Sequence, residues 1–151
     1  MIALKEIEDY LSNKDMAVIG ASTDRKKFGN IVLRFLKKRG FNVYPVNPRV
    51  NEIEGEKCFT EIKDVPAKVK AAIFITKPEV TEKIIENVIS GKTITHIWLQ
   101  PGSENENAID KAKQNGLNII CNECIMMFVK QPGFPHSVHR FFKKTFGEYP
   151  Q

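Results

Sequence analysis

Residues 16–19 and 71–75 are apolar at every position. A strand with no polar face belongs in a sheet covered on both sides, which in small domains means a parallel sheet with crossover helices above and below it. The intervening sequence supplies those helices. Phe28, Ile31, Val32, Phe35 and Leu36 recur at i, i+3, i+4, i+7 and i+8, a continuous helical stripe, and Gly40 stands where such a helix stops. Leu4, Ile7 and Leu11 predict a short leading helix within residues 1–13. Pro78 is placed for the first turn of a helix that buries Val80, Ile84, Ile85, Val88 and Ile89 and ends at Gly91. Ser103 and Glu106 form a capping-box pattern ahead of Ala108, Ile109 and Ala112.

Strands are expected at 16–20, 42–46, 71–76, 95–100 and 117–121. Five strands separated by helices imply right-handed crossovers and a Rossmann-like, doubly wound α/β fold. The sheet is five-stranded and parallel with helices on both faces, and analogy with other doubly wound folds gives the order 3-2-1-4-5. Ligands of such sheets sit beyond the carboxyl ends of the strands at the switch point, here between the first and fourth strands. The loops at that edge are 20–28, 47–49, 76–80 and 100–103.

At 151 residues the chain reads as a single domain, 1–151. No apolar run approaches the roughly 20 residues that span a bilayer. The start of the chain lacks a signal-peptide pattern, and three cysteines are too few for a disulfide framework. A cytoplasmic setting is expected. The net charge of +5 invites comparison with nucleic-acid binders, but no nucleic-acid motif accompanies it. Arg25, Lys26 and Lys27 cluster beside one turn, which suits a small polyanion. In the C-terminal extension, 125–151, Val138, Phe141, Phe142, Thr145 and Phe146 have helical spacing with Arg140, Lys143 and Lys144 between them. That predicts a C-terminal amphipathic helix that docks on the domain or serves a homo-oligomer or a partner protein. Membrane association is not expected of it.

The first strand runs directly into Gly20, Ala21 and Ser22. Small residues there let a phosphate approach the backbone N–H groups of the following helix start. The Ser22 hydroxyl adds a donor, and Arg25 and Lys26 add charge. A bulky side chain in that bend, or a carboxylate of the protein capping the helix, would close such a site. The dinucleotide fingerprint Gly-x-Gly-x-x-Gly is broken, since Ser22 and Arg25 occupy its second and third glycine positions. The second strand ends in Val46-Asn47-Pro48-Arg49, without the acid that holds an NAD ribose. NAD is disfavoured, and NADP stays open through Arg49. No P-loop sequence is present.

Four motifs occur in order: Val18-Ile19-Gly20-Ala21-Ser22, Val43-Tyr44-Pro45-Val46-Asn47-Pro48, Ile53-Glu54-Gly55 and Trp98-Leu99-Gln100-Pro101-Gly102. Together they resemble the stand-alone CoA-binding domain family, which is similar to the N-terminal domain of the succinyl-CoA synthetase alpha subunit. The resemblance covers about Met16 to Cys124. It implies that Gly20, Ala21 and Ser22 hold the pyrophosphate of coenzyme A, helped by Arg25 or Lys26. Val46, Asn47 and Pro48 would line the adenosine side. Thr76, Lys77, Pro78 and Val80 would close over the nucleotide, and Gln100 and Gly102 would face the pantetheine. The expected ligand is coenzyme A or an acyl-CoA. The chain departs from the family at Asn122-Glu123-Cys124, where Asp-Arg-Cys is common.

Catalytic constellations are weak. Cys121 and Cys124 form a Cys-x-x-Cys pair followed by His136 and His139, but the histidine spacing is tighter than usual for zinc, and no metal site is assigned. His96 falls inside a strand and is expected to pack. In the resembled synthetase the phosphorylated histidine lies on a further domain, so a binding module without catalysis of its own is expected. The alternative is an NADP- or other nucleotide-dependent enzyme on the same fold.

Overall fold

A computed structural model describes residues 2–129. In chain order it comprises α1 (Leu4–Ser12), β1 (Asp15–Ile19), α2 (Phe28–Lys38), β2 (Asn42–Val46), the hairpin strands β3 (Glu52–Ile53) and β4 (Glu56–Lys57), and a 3₁₀ turn (Ile62–Asp64). Then come β5 (Ala71–Phe74), α3 (Pro78–Gly91), β6 (His96–Leu99), α4 (Glu106–Gln114), β7 (Asn118–Ile120) and a second 3₁₀ turn (Ile125–Met127). The expected C-terminal amphipathic helix, and His136 and His139, lie outside the described residues.

Five strands form one parallel sheet, ordered β2-β1-β5-β6-β7. The Rossmann-like α/β class is as read from the sequence, but the strand order is not. Numbered one to five along the chain, the strands lie 2-1-3-4-5 in place of 3-2-1-4-5. Pro45 gives the reason. Its carbonyl accepts from Phe59 N at 2.9 Å, and Asn47 N donates to Phe59 O at 2.9 Å, both on the side of β2 away from β1. The Pro45 nitrogen points the same way and has no hydrogen to give. A proline is tolerated in a sheet only on such an edge, so the next strand crosses back and pairs with β1 on its other side. The switch point is therefore between β1 and β5, and not between the first and fourth strands.

The alternation along β1 feeds two cores. Met16 and Val18 pack with Ile7, Tyr10, Val32, Leu33, Leu36, Trp98 and Ile125 beneath α1, α2 and the second 3₁₀ turn. Ala17 and Ile19 pack with Ile85, Val88, Ala108 and Ala112 beneath α3 and α4. Each fully buried branched side chain contributes roughly 1.5–3 kcal/mol of hydrophobic stabilisation. Polar atoms inside are matched. The Tyr10 hydroxyl donates to Ala72 O at 2.9 Å, and the Trp98 indole N–H donates to Glu123 O at 2.7 Å. His96 is a structural tie, with Nε2 2.8 Å from Asp9 Oδ2, which joins α1 to β6. The cap of α4 is Asn105, whose Oδ1 accepts from Ala108 N at 2.9 Å. It is not Ser103, which bonds elsewhere.

A candidate nucleotide site at the carboxyl edge of the sheet

Two glycines shape the turn after β1. Gly20 has φ +87°, and a Cβ on it would lie 2.1 Å from Ile75 O. Gly29, in the first turn of α2, meets Gly20 in the same manner: a Cβ there would lie 2.1 Å from Gly20 O. The start of α2 is thus drawn onto the backbone of the bend. Gly29 stands nine residues after Gly20, off the fingerprint spacing, and sequence reasoning missed it. A glycine beside the apolar stripe at a helix start, where alanine would favour the helix, was the available signal.

The loop organises itself. Asp24 N donates to Ser22 Oγ at 3.1 Å, and Lys26 N donates to Asp24 Oδ1 at 2.9 Å. The Asp24 carboxylate therefore serves the loop and does not cap the helix. The N-cap of α2 is Lys27, no side chain caps the helix, and its first turn holds no acid. Unpaired amides at a helix start carry a partial positive charge and favour an anion. Arg25, Lys26 and Lys27 are exposed around them.

Behind the loop is a polar network. Asn30 is fully buried, and its Nδ2 donates to Ser22 O at 2.8 Å and to Glu54 Oε1 at 3.1 Å. Arg34 Nε donates to Asn30 Oδ1 at 2.7 Å, and Arg34 Nη2 donates to Arg25 O at 3.1 Å. Arg25 Nε lies 3.0 Å from the same Glu54 oxygen. The Asn30 amide, followed by the charges of Arg25 and Arg34, holds the Glu54 carboxyl below its ordinary range. Asn30, Arg34 and Glu54 were not foreseen as site residues, because the network turns on the contact of Asn30 and Arg25 with Glu54, 24 and more residues along the chain.

The residues read from the other loops divide into two groups. Asn47 Nδ2 donates to Ala21 O at 2.9 Å, so it braces the turn after β1. Val46 packs in the core, and Pro48 is exposed at the edge. Thr76 N donates to Ser103 Oγ and the Thr76 hydroxyl bonds that of Thr81 at 2.6 Å. Lys77 and Pro78 are exposed. Gln100 is 1 % exposed. It turns inward, its Oε1 accepting from Ile125 N at 2.9 Å and its Nε2 meeting Cys124 Sγ at 3.6 Å. Gly102 stays at the edge with φ +95°.

Among the described residues the exposed large apolar side chains are Phe28 and Val80. Both lie in the first turn of the helices that follow β1 and β5, the strands flanking the switch point. Burial pushes the Cys121 thiol up, and no group of three or more metal-ligating residues converges among the described residues. A cavity of about 610 Å³ is lined by Leu4, Ile7, Leu11 and Phe41 among others, and by none of the site residues.

A doubly wound parallel sheet, a glycine-tightened bend at its switch point and an uncapped, basic helix start are the features of nucleotide-binding α/β domains. The family described as a CoA binding domain matches residues 14–130, and the chain belongs to that family. Over 131 residues it is 34% identical to the alpha subunit of an ADP-forming acetate–CoA ligase of Pyrococcus furiosus, covering 78% of this chain and 28% of the relative. It thus spans less than a third of that relative's length. The uncharacterised protein YneT of Bacillus subtilis is 26% identical, with 80% of this chain and 89% of that protein covered. The structure of a hypothetical protein from Pyrococcus horikoshii superposes with a TM-score of 0.81 at 32% identity, covering 87% of this chain and 92% of that one. Among the described residues no helix is long and apolar enough to cross a membrane.

Proposed function

We propose that this chain binds coenzyme A, or an acyl-CoA, at the edge between β1 and β5 and contributes binding without catalysis of its own. The observation that carries the reading is the uncapped start of α2, held against the Gly20 bend at the switch point in a chain of the CoA binding domain family. The diphosphate would sit on the backbone of Gly20, Ala21 and Ser22, with the Ser22 hydroxyl, Lys26 and Arg25 around it. The adenosine would lie along Pro48, with Val80, Pro78 and Lys77 closing from the α3 side. The pantetheine would leave past Gly102. Asn47, Thr76 and Gln100 would hold these loops in place, with Val46 in the core behind them.

The test is a thermal-shift and calorimetric series with CoA, acetyl-CoA, ADP, NAD and NADP at one fixed salt concentration. A ligand that binds only the folded chain stabilises it by about 2.7 kcal/mol when present at one hundred times its Kd, a rise of several degrees in Tm for a domain of this size. CoA and acetyl-CoA are expected to produce that rise, and NAD none. Stabilisation by NADP without stabilisation by CoA would overturn the reading in favour of a nicotinamide-dependent enzyme. No response to any of the five would leave the domain a scaffold.

A further inference from the structure

We propose that Glu54 is an internal stand-in for ligand phosphate, engaging Arg25 in the ligand-free chain and yielding it when a polyanionic ligand binds. This rests on the CoA reading of the same edge. One oxygen of Glu54 receives both Arg25 Nε, at 3.0 Å, and Asn30 Nδ2, at 3.1 Å. Those donors belong to the phosphate loop and to the first turn of α2, and Asn30 also grips Ser22 O. An anionic oxygen supplied by the protein thus already sits among the donors that shape the bend.

Glu54 arrives there on the two-residue turn that joins β3 to β4. Its φ is +50°, in the left-handed region that favours glycine. Its backbone is anchored separately, with Lys37 Nζ 2.9 Å from both Glu54 O and Glu56 Oε1, so the side chain can swing away while the hairpin stays docked. The ion pair is half open to solvent, the Arg25 side chain being 66% exposed. Such pairs add little to stability. The positive φ values of Glu54 and Gly55 are those of the two-residue turn between β3 and β4, and it is that turn which presents the carboxylate to the donors of the loop. The competition also selects. A diphosphate brings more charge than one carboxylate and displaces it, whereas a simple monoanion gains little over the carboxylate already present. Like other glutamates this competitor is ionised at neutral pH, and its Asn30 and Arg25 contacts favour the charged form further.

The experiment is calorimetric titration of the full chain with CoA and with inorganic pyrophosphate at fixed ionic strength. The proteins are the parent chain, Glu54→Gln, Arg25→Gln, their double variant and Glu52→Gln as a charge control on the same hairpin. Glutamine keeps an amide oxygen for Asn30 and removes only the charge. Glu54→Gln is expected to tighten CoA about fivefold, and Glu52→Gln less than about twofold. Arg25→Gln is expected to weaken CoA about tenfold. In that background Glu54→Gln is expected to add less than about twofold, because its partner is gone. If the parent binds CoA and Glu54→Gln gives no gain, or the gain persists undiminished with Arg25→Gln, the stand-in role falls and the CoA reading survives. Binding by Glu54→Gln alone would support both in their strongest form. Failure of both proteins to bind either probe would sink both.

Discussion

The loop after β1 and the loop after β6 stand at the same edge of the same sheet, yet they use polar side chains in opposite ways. After β1, Ser22 and Asp24 bond to amides two residues away, and residues 23–28 remain exposed. After β6, Gln100 and Ser103 are buried and reach 25 and more residues along the chain, Gln100 to Ile125 N and Ser103 to Phe74 O and Thr76 N. In the first loop the short side chains of Ser22 and Asp24 bond locally and turn outward, and the longer Arg25 reaches across to Glu54. The second stitches β5, α3 and the segment after β7 together. A place on the ligand edge therefore does not make a residue a ligand contact; the direction of its side chain at the strand end decides that.

The largest test of this contrast lies in the backbone of the first loop. Gly20→Ala would place a Cβ 2.1 Å from Ile75 O at φ +87°, combining a backbone clash with left-handed strain, and is expected to cost about 4 kcal/mol. Gly29→Ala would place a Cβ 2.1 Å from Gly20 O without positive φ, and is expected to cost about 3 kcal/mol. Urea unfolding should show both midpoints falling with the slope unchanged. A loss below about 1 kcal/mol in either would mean that the bend relaxes freely and that the outward loop is not rigidly seated.

Much of the frame was legible in the chain, for a physical reason: strands apolar on both faces and helices apolar on one leave little choice of partner. The leading helix, the helix from Pro78 to Gly91 and all five sheet strands fall where the patterns put them. The strand order did not follow, although Pro45 held the information, because an edge-only residue was read as an ordinary strand position. At the site, the small-residue bend at Gly20, Ala21 and Ser22 could be read directly, since its demand is local. Gly29 could not, because its demand comes from a backbone oxygen nine residues earlier. Nor could the pairing of Arg25 with Glu54, which the hairpin creates. Gln100 belongs to the right motif, but no spacing rule says that its amide turns inward.

Gln100 supplies the next test. Gln100→Leu fills a similar volume but removes the acceptor for Ile125 N, whose residue is fully buried. An unpaired buried amide costs about 1–3 kcal/mol, so a loss near 2 kcal/mol is expected in urea unfolding. The affinity of the folded fraction for CoA should stay within about twofold. A large loss of affinity with little loss of stability would move Gln100 from bracing to ligand contact and erase the distinction between the two loops.

Ser22 supplies the smallest and sharpest test, because it reverses that pattern. Among the described residues its hydroxyl accepts from a neighbouring exposed amide, Asp24 N, so Ser22→Ala should change stability by less than about 0.5 kcal/mol. In the proposed site the same hydroxyl donates to a phosphate oxygen, and losing one such bond weakens binding by about 1 kcal/mol, near fivefold in Kd. Calorimetry with CoA and urea unfolding on the same preparation separate the two quantities. If Ser22→Ala lowered stability as much as affinity, the loop after β1 would be bracing the fold as the loop after β6 does. The anion would then have to be held by the helix amides and the basic side chains alone.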